Sequence, residues 1–214
     1  MPVQAWFTEL SRHFRRTRMQ RFAREFGITA ETRVLDIGGT PDCWDLLAER
    51  PHLTLLNTPR ARDDLRGAAT WVAGDGRCLP FRDRSFDVVF SNSVIEHVGD
   101  LESQERFARE VLRVGRSFWV QTPNRWFPVE QHLLTPFVHW LPKPWQRPIV
   151  PRFNVWSAVM RVSPDRREFY IEHYLSDIRL LSFRQLRAMF PGARVIRERF
   201  WGVTKSLVAM KAPR

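Results

Sequence analysis

The stretch R-V-L-D-I-G-G-T-P-D-C-W-D, Arg33 to Asp45, decides the fold. A short β-branched and aliphatic run ends on an acid, two glycines follow at once, and the next residues can enter a helix. That is the layout of a first strand, a tight turn and a first helix in an open α/β sheet, where ligands bind beyond the carboxyl ends of the strands. Glycines at 38 and 39 let the backbone approach a ligand with no Cβ in the way. Asp36 sets a carboxylate just before the turn, where a ligand's ammonium group could sit. A dinucleotide site would need G-x-G-x-x-G with its acid about 20 residues further on. The chain contains no such motif.

Three more segments extend the pattern. Leu53 to Asn57 reads as a second strand. Val72 to Phe90, V-A-G-D-G-R-C-L-P-F-R-D-R-S-F-D-V-V-F, reads as a third strand, an acidic turn and a fourth strand. Val120 to Asn124, V-Q-T-P-N, closes a fifth. On these residues the sequence resembles the class I S-adenosylmethionine-dependent methyltransferases, specifically the type-11 methyltransferase domain group, from about Arg33 to Ala209. The resemblance implies a Rossmann-like α/β fold: a mostly parallel sheet with an antiparallel closing strand and helices on both faces. It also implies a transferase that uses S-adenosyl-L-methionine for methylation.

The resemblance assigns the cofactor site residue by residue. Asp36, Gly38, Gly39 and Thr40 would take the methionine end through charge-assisted bonds and backbone N–H donors. The family's third glycine is replaced here by Thr40-Pro41-Asp42. Asn57 stands where the family has a carboxylate for the ribose hydroxyls; an amide can still satisfy one of them. Asp75, with Gly76 and Arg77, is the expected adenine ligand, and Ser91 and Asn92 would line the methyl-donor side.

The sulfonium methyl is already activated, so catalysis requires alignment and exclusion of water. A hydroxyl or amine acceptor also needs its proton removed. Glu130 and His132, in P-V-E-Q-H after the fifth strand, are the expected pair for that role. His97 is a third candidate, and His173 and Tyr174 are weaker ones. Each of these histidines could equally be structural. No His/Asp/Cys set at ligand spacing occurs along the chain, so no metal is expected.

Length and composition bound the rest. The 214 residues suit one domain, and 43% hydrophobic residues suit a globular one. We expect an N-terminal amphipathic helix within 1–27 stopped by Gly27, a cofactor-binding core at 33–122, a cap insertion at 123–181, and a closing helix and strand pair at 182–214. Strands are expected near 33–37, 53–57, 70–74, 86–91 and 117–122, with helices near 42–50, 60–67 and 102–114. The cap holds eight of the fifteen prolines between Pro123 and Pro164, and tryptophans 126, 140, 145 and 156. That proline density predicts no long helix there. Trp126, Phe127, Phe137, Trp140 and Trp145 are expected to cover the sheet's end and wall an acceptor pocket.

Two cysteines make no disulfide framework, and arginines interrupt the N-terminal apolar residues, so a cytoplasmic protein is expected. The net charge of +11 is carried almost wholly by arginines spread along the chain, with lysine only at 143, 205 and 211. It would suit an acidic substrate, a phosphorylated glycan or peripheral contact with an anionic membrane. Transfer to a small-molecule, glycan or lipid-linked acceptor, most readily at oxygen, is the leading function. A nucleic-acid-modifying methyltransferase, or a catalytically silent cofactor-binding partner subunit, is the alternative.

Overall fold

The computed structural model describes residues 3–59, 70–153, 155–160 and 163–213. Seven strands form one sheet: β1 (Arg33–Ile37), β2 (His52–Asn57), β3 (Thr70–Ala73), β4 (Phe86–Asn92), β5 (Gly115–Pro123), β8 (Arg194–Phe200) and β9 (Val203–Lys211). Their order is β3-β2-β1-β4-β5-β9-β8. β3, β2, β1, β4 and β5 run parallel, and β9 lies antiparallel between β5 and β8. This is the expected mostly parallel sheet with its antiparallel closing strand.

The central strands are buried on both faces, which explains their continuous apolar runs. Along β1, Leu35 and Ile37 face a core shared with Val89, Phe107, Val111 and Phe118. Val34, on the other side, joins Phe90, Trp119 and Trp44 beneath Met19, Phe22 and Phe26 of α1 (Val3–Phe26). Helices α2 (Leu101–Val114) and α6 (Phe183–Met189) cover the first face. Asp100 caps α2 by accepting from the Ser103 N–H at 2.9 Å, and Ser182 with Gln185 forms a full capping box on α6. Gly27, at φ +58°, ends α1 as the sequence predicts.

The expected helix at 42–50 is corrected to a single 3-10 segment, Pro41–Leu46. α1 already fills the face that a longer helix would cover, so only Trp44 of this segment is buried against the sheet. The helix expected at 60–67 lies outside the described residues.

Residues 124–181, between β5 and α6, contain the short pair β6 (Val129–Glu130) and β7 (Thr135–Pro136), then α3 (Lys143–Ile149), α4 (Val155–Met160) and α5 (Pro164–Asp177). The 14-residue α5 overturns the expectation that prolines forbid a long helix here. Its one proline is its first residue, where a missing N–H costs no helix bond. This region has its own apolar cluster of Leu133, Val138, Val150, Ile171, Tyr174, Ile178 and Leu180. The aromatic cover is also corrected: Trp126, Phe137, Trp140 and Trp145 are exposed, and of that set only Phe127 is buried. Aliphatic side chains and the Tyr174 ring fill the cluster and leave those four rings on its outside. No helix among the described residues is long and apolar enough to cross a membrane.

Phe22 joins α1 to the sheet, with its ring centroid 4.8 Å from Phe90, 5.0 Å from Phe26, 5.8 Å from Trp44 and 5.9 Å from Trp119. Phe22→Ala should cost about 3–5 kcal/mol in urea unfolding. A loss below about 1 kcal/mol would mean that α1 is not docked as described.

Candidate active site

The glycine turn after β1 has two separate steric demands. Gly38 holds φ +74°, a conformation that L side chains rarely adopt, and its N–H donates to the Leu56 carbonyl at 2.7 Å. A Cβ on Gly39 would overlap the Asp36 carboxylate, so glycine is required for Asp36 to lie under the turn. The Trp44 indole N–H donates to Asp36 Oδ2 at 2.8 Å. Asp36 Oδ1 is buried and has no partner among the described residues. Burial pushes the Asp36 carboxyl up to about 7, against the lowering effect of the Trp44 bond. Asn57 at the end of β2 donates from Nδ2 to the Gly39 carbonyl at 3.2 Å and accepts the Thr58 N–H at Oδ1, 2.8 Å. It braces the turn from the neighbouring strand.

Two cavities meet at this turn. One, of about 310 Å³, is lined by Asp36, Gly38, Gly39, Thr40 and Asn92, with Arg15 and Arg18 of α1 and Lys205 of β9 opposite. The other, of about 640 Å³, is lined by Asn57, Asp75, Gly76, Arg77 and His97. Gly38 and Ser93 belong to both walls. Ser91 is buried within β4 and lines neither. The sequence reading did not single out Arg18. It is buried, forks onto Glu198 of β8 at 2.9 and 2.6 Å, and donates to Asn92 Oδ1 at 2.5 Å. Asp75 is exposed and accepts from the Arg77 guanidinium at 2.6–3.0 Å and from its backbone N–H at 2.8 Å. These bonds hold its carboxyl below the ordinary range.

Beyond Ser93 the chain brings three histidines and three acids together. The fully buried Glu96 accepts from Thr122 Oγ1 at 3.0 Å through Oε2, while Oε1 has no partner among the described residues. Burial pushes Glu96 up to about 7, and the nearby His132 pulls the other way. His132 Nδ1 lies 2.7 Å from Oε1 of Glu130, also fully buried, whose Oε2 accepts the Leu133 N–H at 2.6 Å. Burial is the largest single influence and works against a charged His132, but the Glu130 bond and the charges of Glu130 and Glu96 together outweigh it, and the net shift is upward. The His97 ring is edge-on to His132 at 5.1 Å and stacked on His173 at 5.4 Å. Burial lowers His97 to about 4, so its imidazole is neutral. His173 in turn pairs with Asp177 at 2.8 Å. Tyr174 packs in the apolar cluster instead.

The fold therefore brings all three expected catalytic residues, His97, Glu130 and His132, to one place beside the second cavity. Glu96 was missed as a member. Its sequence signal is only adjacency to His97, and its partners Thr122 and His132 arrive from distant segments.

Residues 50–117 match the methyltransferase domain family, a span that begins after the glycine turn and ends in β5. The sterol 24-C-methyltransferase erg-4 of Neurospora crassa is 29% identical over 140 residues, 58% of this chain and 36% of that protein. The chain spans about a third of the length of the curated relatives it matches. Among solved structures, a chain described as a Zn-dependent alcohol dehydrogenase of Rhodobacter sphaeroides superposes with a TM-score of 0.59 at 15% identity, covering 87% of this chain and 86% of that one. The methyltransferase solved with the Trm112 activator of Haloferax volcanii gives 0.55 at 14% identity, over 94% and 89%. At such identities the likeness is one of fold alone. With the domain match over residues 50–117, the strand order gives the chain the fold of the class I methyltransferases.

Proposed function

We propose that the chain binds S-adenosyl-L-methionine and transfers its methyl group to an oxygen of a small-molecule, glycan or lipid-linked acceptor. The pair of cavities joined at Gly38 and Ser93 carries this reading, with an unpartnered buried carboxylate oxygen in one and Asn57 and Asp75 in the other. The donor set fits the cofactor. Asp36 Oδ1 would hold the ammonium, and Arg15, Arg18 and Lys205 supply positive charge for the carboxylate. Asn57 would meet the ribose, and Asp75, Gly76 and Arg77 the adenine edge. Asn92, with Ser91 behind it on the same strand, would back the methyl-donor side. In this reading residues 33–122 form the cofactor core, 1–27 its cover, 123–181 a cap that faces the acceptor, and 182–214 the closing elements.

When bound, S-adenosylmethionine supplies a methyl group already activated on a sulfonium. Glu130 accepting at His132 Nδ1 leaves Nε2 as the proton acceptor. His132 would then take the acceptor hydroxyl's proton at Nε2, freeing that oxygen for the methyl group the cofactor would supply, with the bonding pair left on its sulfur. The exposed Trp126, Phe137, Trp140, Trp145 and Phe153, with Arg152 beside Phe137 and Phe153 on one groove, support an acceptor presented at an anionic bilayer surface. The Neurospora relative is likewise named for a sterol. The two free cysteines suit a reducing, cytoplasmic setting.

Titration calorimetry with S-adenosylmethionine and its demethylated product tests the cofactor. Asp36→Asn should weaken binding by about 2 kcal/mol, roughly 30-fold, through loss of a charge-assisted bond. The same change should stabilise the ligand-free fold. The raised Asp36 contributes stability below its unfolded value of 3.8 that is lost as pH rises through about 7, so the variant's Tm should exceed wild type above that pH and converge with it in acid. Unchanged affinity would remove Asp36 from the site.

His132→Ala should lower turnover on the true acceptor by about 10²–10⁴-fold while cofactor affinity holds. Full turnover in that variant would exclude the base role.

A further inference from the structure

We propose that Glu96, His97 and His132 form a binding site for one divalent transition-metal ion, set beside the cofactor cavities at the carboxyl ends of β4 and β5. This deepens the reading above, on which it rests, by naming how the acceptor oxygen is held. One ligand atom from each residue lies within 4.8 Å of the others, and no ion is present. In a tetrahedral site with bonds of about 2.1 Å, ligand atoms sit roughly 3.4 Å apart, so small side-chain rotations close the set.

Three further observations point to a cation. Glu96 is fully buried, and its Oε1 has no partner among the described residues. A bare carboxylate oxygen in a protein interior is costly, and a cation satisfies it. His132 carries the support that metal-ligating imidazoles have: a buried carboxylate, Glu130, holds Nδ1 at 2.7 Å and leaves Nε2 free to coordinate. Neither ring nitrogen of His97 has a hydrogen-bond partner among the described residues, and the ring is held edge-on to His132 and stacked on His173.

Charge balance points the same way. Glu96 and Glu130 are two fully buried carboxylates, both close enough to one imidazole to interact with it. An imidazolium would balance one of them, whereas a divalent ion balances both. Two imidazoles and one carboxylate favour Zn²⁺ or a neighbouring first-row metal over Mg²⁺, which prefers oxygen ligands and retains its waters. Three protein ligands leave a coordination position open, as in catalytic sites. An acceptor hydroxyl occupying that position would have its pKa lowered and lose its proton to water. His132 would then serve as a ligand instead of a base.

The test is titration calorimetry of the chelator-treated, desalted chain with ZnCl₂, and visible absorption after addition of Co²⁺. One ion per chain and the spectrum of four- or five-coordinate Co²⁺ are expected. Glu96→Gln and His132→Ala should lose the site, and Glu130→Gln, which keeps its shape, should weaken it about 10- to 100-fold. His52→Ala, at an exposed histidine on β2, should bind as wild type does. Absence of Zn²⁺ uptake by the wild-type chain, or equal uptake in the Glu96 and His132 variants, overturns the metal site. Retention of methyl transfer in that metal-free chain would leave the base reading standing. Failure of cofactor binding, measured separately, would remove the proposed function itself.

Discussion

A carboxylate buried beneath a glycine turn sets the terms for the carboxyl edge of the sheet. Asp36 lies so close under Gly39 that no side chain fits between them. One of its oxygens is held by the Trp44 indole, and the other lies buried without a partner. Trp44, the buried residue of the 3-10 segment Pro41–Leu46, turns into the sheet to make that bond. α1 covers the same face, and its Met19, Phe22 and Phe26 complete the second core around Trp44.

Buried ionisable groups concentrate at the carboxyl edge of the sheet. Asp36, Glu96, Glu130 and Arg18 are all buried there, around the ends of β1, β4 and β5. Charges removed from water cost several kcal/mol each unless well paired, and apolar replacements are often more stable. At the opposite edge, Arg33, Asp87 and Arg116 pair near solvent, where such bridges contribute little. The asymmetry supports the proposed placement of the site at the carboxyl edge. Arg18 links that end together, tying α1 to Glu198 of β8 and to Asn92 of β4.

The strands were legible because each is a short apolar run bounded by turn residues, and buried parallel strands need that pattern. Gly38 and Gly39 were legible as a tight turn; the structure adds that Gly38 holds a positive φ and that Gly39 is required by Asp36. The short turn at Pro41–Leu46 was not, since its helical pattern is cancelled by α1 arriving from elsewhere. Nor was the outward placement of Trp126, Phe137, Trp140 and Trp145, because composition identifies apolar residues without saying which of them the cluster has room for.

By itself the sequence determined the α/β class, the strand positions and the acids at the ends of β1 and β3, all of which follow from local periodicity and turn chemistry. Only the tertiary structure decided that His97 and His132 share a site with Glu96 and that Arg18 reaches Asn92. Those contacts join segments far apart in the chain. They exist because the parallel crossovers bring the ends of β4 and β5 to one edge, and no local pattern encodes that meeting.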